Sequence, residues 1–171
     1  DIIGTSSTDS DTEIAAIIFQ ALTNLGLRKF VIKINNRKIL NGLPTFAGFP
    51  EKKLPEFLRI IDKKDKIGDA AVKKELIKIF KKKTAEKIEE FLALGGTAKE
   101  KLLQVRELLK GTASVEEGVR ELADIIRGLR AYGAPDNNWE LDFSLARGLG
   151  YYTGPVFEAT LVDVKDIGSI F

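Results

Sequence analysis

Cysteine, histidine and methionine are absent from this 171-residue chain, and tryptophan occurs once. These absences exclude a disulfide, a cysteine nucleophile, a Ser-His-Asp triad and the usual nitrogen-and-sulfur zinc site within the sequence. Chemistry must instead use Arg, Lys, Asp, Glu, Tyr, hydroxyl groups or a metal that arrives with a substrate, and no protein-bound metal is expected. No apolar run approaches the roughly 20 residues of a membrane span. The opening residues, DIIGTSSTDSD, have neither the basic start nor the apolar core of a signal peptide. A cytoplasmic location away from membranes is therefore the expectation. With no initiator Met and both ends reading as raw sheet edges, the expectation is that the sequence is the middle of a longer protein.

What is present is ordinary for a globular domain, with 44% hydrophobic and 30% charged residues. The length suits one core, or one domain with a small appendage. Charge is uneven. Residues 51–110 hold 17 Lys and Arg against 11 Asp and Glu, a net of +6, leaving −4 for the remainder.

The pattern opens with a short apolar stretch over residues 1–4, read as a strand. Asp9, Ser10 and Asp11 are helix-cap candidates. Ile14, Ile17, Ile18, Ala21, Leu22 and Leu25 then recur at helical spacing, and Gly26 ends the run. Residues 30–34 read as a strand, closed by Asn35 and Asn36, which start a short helix reaching Leu43. Residues 44–55 carry three of the five prolines and read as a connector. From there to about Arg130 the period is helical, with Leu54, Phe57, Leu58 and Ile61 in one stripe and Val72, Leu76, Ile79 and Phe80 in another. Breaks fall at Gly95-Gly96 and at residues 111–114, where Ser114 is a cap candidate. Residues 135–138 return the chain to a sheet.

Residues 139–161, WELDFSLARGLGYYTGPVFEATL, carry the most information. Trp139, Leu141, Phe143 and Leu145 fall on one face of an extended segment, with Glu140, Asp142 and Ser144 on the other. Gly148, Gly150 and Gly154 then let the backbone bend and approach a ligand closely. Arg147 sits where the alternation breaks. Tyr151 and Tyr152 alternate, so one of them faces the same side as a ligand there. The segment has neither the spacing of a P-loop nor that of a dinucleotide fingerprint.

The run Ala-Arg-Gly-Leu-Gly-Tyr-Tyr-Thr-Gly closely resembles the histidine-specific signature of histidyl-tRNA synthetases, a class II aminoacyl-tRNA synthetase family. The likeness extends to Asp-Ile-Ile-Gly-Thr-Ser-Ser and to Ile-Asn-Asn-Arg-Lys-Ile-Leu-Asn-Gly. It implies an α+β fold: part of a class II antiparallel sheet with flanking helices, interrupted by a small helical insertion. Residues 1–65 and 115–171 would belong to the catalytic domain, and residues 66–114 to the basic insertion lying over the acceptor end of tRNA. The implied substrates are histidine, ATP carrying Mg²⁺ and histidine tRNA, in a homodimer.

The resemblance also implies roles. Arg147 would stabilise charge at the α-phosphate of ATP, and Tyr152 would hydrogen-bond the substrate imidazole. Tyr151 would stand beside it, on the core side. Gly148, Leu149 and Gly150 would floor the amino-acid pocket, and Asp1 would meet the α-amino group. In many members of the family an Asp stands where this chain has Gly150. Lys63 and Lys64, Lys73 and Lys74, and Lys81, Lys82 and Lys83 are candidates for phosphate contact, which reads charge and not sequence. Each has a plainer reading: Arg147 as a partner of Asp142 or Glu158, the lysines as solvated helix faces. Two rival functions stand beside the enzyme. One is a non-catalytic paralogue, either the regulatory subunit of the first enzyme of histidine biosynthesis or a synthetase-like sensor domain. The other is a helical RNA-binding module, which leaves the strand-rich ends unexplained.

Overall fold

The structure, a computed structural model, describes residues 2–146, 152–164 and 168–171, except for the side chain of Asp65. The first described residues have no regular structure and are exposed: Ile3 is 91% exposed, and residues 2–4 form no strand. Helix α1 (Thr8–Asn24) follows. Its cap is Ser7, two residues before the first of the candidates; the Ser7 hydroxyl accepts from the Asp9 N–H at 3.2 Å. The helix ends as the sequence suggests. Gly26 takes φ +80°, and the Leu27 N–H reaches back to the Leu22 carbonyl at 3.0 Å, a closure that only a left-handed residue permits cheaply. Ala15, Ala16, Ile18 and Leu22 are buried, whereas Leu25 is 75% exposed.

Strand β1 (Phe30–Asn36) is central in a three-stranded sheet, flanked by β2 (Trp139–Leu141) and β3 (Pro155–Leu161). β3 runs antiparallel to it, with Lys33 opposite Glu158 and Asn36 opposite Pro155. β2 runs parallel, with Ile32 beside Trp139 and Ile34 beside Leu141. The sheet is therefore mixed and not antiparallel throughout. The cause is the long helical excursion between β1 and β2, because a parallel partner requires a crossover and a hairpin cannot supply one. Residues 168–171 lie along β3, where the Ile170 N–H donates to the Ala159 carbonyl at 2.8 Å.

Within the excursion, α2 (Arg37–Leu40) is capped by Asn36, and α3 (Leu43–Ala47) and α4 (Leu54–Ile61) both carry proline in the first turn. The expected connector is thus largely helical. Pro44 and Pro55 occupy positions whose N–H groups need no helical partner, so they start helices instead of breaking them. Helices α5 (Lys64–Ile67), α6 (Asp69–Ile79), α7 (Lys82–Leu92) and α8 (Ala98–Leu108) follow. The long α9 (Ala113–Ala131) is capped by the backbone of Thr112 and not by Ser114.

One apolar cluster runs through these elements, α5 excepted. Phe49 packs between Phe57 and Phe80 at ring separations of 6.0 and 4.9 Å. Phe91 on α7 meets Phe143, just beyond β2, at 5.6 Å. The lysine-rich helices are thereby anchored to the sheet by an aromatic contact. Phe91→Ala should cost about 3–5 kcal/mol of stability, the usual range for emptying a buried ring site. Urea unfolding of the variant and the parent checks this; a loss under ~1 kcal/mol would show that the α7–sheet contact is dispensable.

Candidate functional site

Alternation along β1 sends Phe30, Ile32 and Ile34 into the core, where β1 packs against α1 and α9, and turns Lys33 to the opposite face. On that face Glu158 stands across from Lys33 in the ladder and is only 4% exposed. Asp142, two residues past Glu140, continues the same line beside β1. Together with Asp62 from the end of α4, Ser144 and Ala146, these residues line a small polar cleft.

The cleft is electrostatically built. The Lys33 ammonium lies 3.2 Å from Asp142, with the side chains 16% and 20% exposed. Asp142 accepts from the Ser144 N–H at 2.9 Å and from its hydroxyl, while its own carbonyl accepts the Leu145 N–H at 3.0 Å. Burial pushes the Asp142 carboxyl up, but the Ser144 donors and the Lys33 ammonium outweigh it and hold the group below its ordinary value. A tight turn with a fixed negative charge thus delivers the chain to Ala146. Among the described residues no group of three or more acids is placed to hold a metal ion.

Arg147, Gly148, Leu149, Gly150, Tyr151 and Asp1 lie outside the described residues. Tyr152 begins the stretch leading into β3 and is 43% exposed. The lysine candidates divide. Lys73 pairs with Glu89 at 2.7 Å, Lys63 with Glu75 at 3.2 Å, Lys64 with Asp69 at 3.5 Å and Lys82 with Glu86 at 3.9 Å. Lys74, Lys81 and Lys83 are exposed without an acidic partner among the described residues. Lys81 is the cap residue of α7, and Lys82 and Lys83 open its first turn, which contains no acid.

Residues 35–37 are placed at the site in a way that sequence reasoning missed. The fully buried Asn35 donates through Nδ2 to the Leu145 carbonyl at 2.9 Å, and the Arg37 N–H donates to the Gly154 carbonyl at 2.8 Å. The available signal was the pair of amides: Asn36 alone accounts for the cap of α2, leaving Asn35 without a local task.

A profile of the family described as Histidyl-tRNA synthetase matches residues 1–166. The chain belongs to that family. It is 39% identical to a histidine–tRNA ligase of Clostridium tetani across 99% of this chain and 39% of that protein. A histidine–tRNA ligase of Nostoc punctiforme is 37% identical over 94% of this chain and 35% of its own length. The crystal structure of histidyl-tRNA synthetase from Nostoc sp. PCC 7120 superposes with a TM-score of 0.89 at 36% identity, covering 97% of this chain and 39% of that one. The chain therefore spans well under half of these relatives. The same fold recurs at 23% identity, with a TM-score of 0.79, in a Bacillus halodurans structure described as an ATP phosphoribosyltransferase regulatory subunit/histidyl-tRNA synthetase.

Because the Asp142 value is depressed in the folded state, its carboxylate stabilises the fold above the ordinary unfolded value near pH ~4, and this is lost as pH falls through the lower folded value. Asp142→Asn should lower stability at neutral pH by about 1–3 kcal/mol, the range for a hydrogen-bonded charge. It should also lose less stability than the parent on acidification below about pH 4. Denaturant titrations on both sides of that value test this; equal acid losses would place the sensitivity elsewhere.

Proposed function

We propose that the complete protein activates histidine with ATP and transfers it to histidine tRNA, and that this chain carries the activating arginine and part of the amino-acid pocket. The observation that carries the reading is the run Ala146-Arg-Gly-Leu-Gly-Tyr-Tyr-Thr-Gly154, within a chain matched by the family profile almost end to end. The charged cleft supports it, since Ala146 lines its wall and Arg147 is the next residue.

The chemistry needs no protein nucleophile, which suits a chain without Cys or His. A carboxylate oxygen of histidine attacks the α-phosphorus of ATP, and the bond to the pyrophosphate oxygen breaks. A terminal ribose hydroxyl of tRNA then attacks the adenylate carbonyl and AMP leaves. Charge builds on the α-phosphate in the first step, and a guanidinium that stays protonated and matches phosphate oxygens stabilises it without proton transfer. Tyr152 would serve the imidazole as donor or acceptor according to its tautomer. Asp1 would face the α-ammonium, Gly148, Leu149 and Gly150 would floor the pocket, and Tyr151 would pack beneath it. Mg²⁺ belongs to this scheme as part of the ATP substrate.

Residues 66–114 would contact the acceptor end of tRNA. Lys81 and Lys83, at the N-terminal end of α7, oppose its dipole and have no acidic partner among the described residues. With Lys74 they offer positive charge available to a polyanion. A homodimer in the cytoplasm completes the reading.

Arg147→Ala in the full-length protein should slow histidine-dependent pyrophosphate exchange by about 10²–10³, as expected for losing one preorganised charge stabiliser, with ATP binding far less affected. Exchange at the parent rate would remove Arg147 from the mechanism. Tyr152→Phe should raise the histidine KM while Tyr151→Phe leaves it unchanged.

The triple reversal Lys74→Glu, Lys81→Glu and Lys83→Glu should separate the half-reactions. Pyrophosphate exchange should stay near the parent rate, while tRNA charging falls and loses much of its salt dependence, since phosphate contacts act through counterion release. Charging at the parent rate and salt slope would return these lysines to the role of solvated surface.

A further inference from the structure

The described residues on either side of the Arg147 segment are bonded by three consecutive residues that have no role in the scheme above. On its near side Leu145 is held twice. Its N–H donates to the Asp142 carbonyl at 3.0 Å, and its carbonyl accepts from Asn35 Nδ2 at 2.9 Å. On its far side the Gly154 carbonyl accepts from the Arg37 N–H at 2.8 Å, immediately before β3 pairs with Asn36. Leu145 and Gly154, which flank the segment, are thus both held at the same end of β1.

The base is itself immobilised. Asn35 Oδ1 accepts from the Asn36 N–H at 2.7 Å, which fixes the amide's orientation and directs Nδ2 at Leu145. Asn36 Nδ2 donates to Glu121 of α9 at 2.7 Å, and its Oδ1 caps α2 through the Lys38 N–H at 2.9 Å. Gly118 lets α9 approach this closely, because a Cβ there would lie 3.1–3.3 Å from Ile39, Lys38 and Asn36. Lys38 bridges Glu117 and Glu121 over the same contact. A fully buried amide is costly unless both its ends are satisfied. Asn35 commits Oδ1 to the Asn36 N–H and Nδ2 to the Leu145 carbonyl, and only the second bond reaches the stretch before Arg147.

We propose that Asn35 is a positioning residue for amino-acid activation, fixing the backbone two residues before Arg147 so that the guanidinium meets the α-phosphate in register. The proposal rests on the function given above. Misplacement by about 1 Å from a site remote from the chemistry can cost about 10²-fold in rate, so one backbone bond is enough to matter.

Asn138 supplies an internal control. It is also a buried amide that bonds a backbone carbonyl across β1 and β2, donating to Phe30 at 3.0 Å, but at the end of the pair away from Arg147. In the full-length protein, Asn35→Ala and Asn138→Ala should lower the melting temperature comparably. Only Asn35→Ala should depress kcat for histidine-dependent pyrophosphate exchange, by about 10–10²-fold, with the ATP KM little changed. In an Arg147→Ala background, adding Asn35→Ala should cost less than about threefold, because the group it positions is gone. If Asn35→Ala does not fold, Asn35→Ser, with a shorter hydroxyl, carries the same comparison.

Equal kcat losses in the two asparagine variants, or multiplicative losses with Arg147→Ala, would overturn the proposal and leave Asn35 structural. A full effect of Arg147→Ala beside an unchanged Asn35→Ala would sink only the positioning role. Absence of exchange in the parent protein would overturn both the role and the function it serves.

Discussion

Everything in this domain hangs on β1, a buried strand that must satisfy two different neighbours at once. Its ladder is antiparallel on one side and parallel on the other, and Ile32, Ile34, Asn35 and Asn36 are all removed from solvent. Such a strand has no polar edge to leave in water, so every donor and acceptor must be answered inside the protein. The two asparagines close the end of the strand where backbone pairing gives way to a turn on one flank and a helix start on the other. No buried side-chain nitrogen or oxygen among the described residues lacks a partner. The end of the sheet and the described residues flanking the signature run are thus bonded by the same three residues.

Much of the helical region was legible because burial there is one-sided. Phe57, Leu58 and Ile61, or Val72, Leu76 and Phe80, are apolar because one face meets a core, and period alone reveals that. What period does not reveal is which face a neighbour covers. Ile17 and Leu25 belong to the expected apolar stripe yet are exposed, while Ala15, Ala16, Ile18 and Leu22 are buried where α1 packs on α9 and the sheet. Pro44 and Pro55 were misread for a related reason. A proline is both a helix breaker and a first-turn residue, and only the following contacts decide between them. The parallel pairing of β1 with β2 was hidden for another reason: strand direction is a property of the whole intervening excursion.

The lysine clusters show how far charge can be read without coordinates. The net positive excess of residues 51–110 is a fact of composition, but its availability is not. Lys73 is neutralised by Glu89 and Lys63 by Glu75, partners 16 and 12 residues away on other helical segments. Exposed pairs of this kind contribute little to stability, roughly 0–1 kcal/mol. Their larger effect is to remove cations from the field that a polyanion would meet. Of the clustered lysines, those without an acidic partner among the described residues are Lys74 on α6 and Lys81 and Lys83 at the start of α7, where the helix N-terminus adds its own positive potential. Position along a helix and pairing across helices therefore sort seven similar residues into two groups.

The site itself was half visible. Trp139, Leu141, Phe143 and Leu145 alternate as a strand would, and all four are buried, yet the ladder stops at Leu141. Asp142 explains both facts. Its N–H makes the last bond to β1, at the Ile34 carbonyl, and its side chain then folds the next residues into a turn through Ser144. A short acid can compete with the ladder for a neighbouring N–H, which is why Asp and Asn gather where strands end. The alternation survives because the turn still lays Phe143 against Phe91 and Leu145 against the sheet. An aspartate at that position therefore does two things that sequence alone presents as one. It ends the strand, and with Lys33 and Asn35 it fixes where the arginine-bearing segment begins. Replacing the strand-ending turn by a longer regular strand would preserve the hydrophobic pattern and carry Ala146 away from the charged cleft.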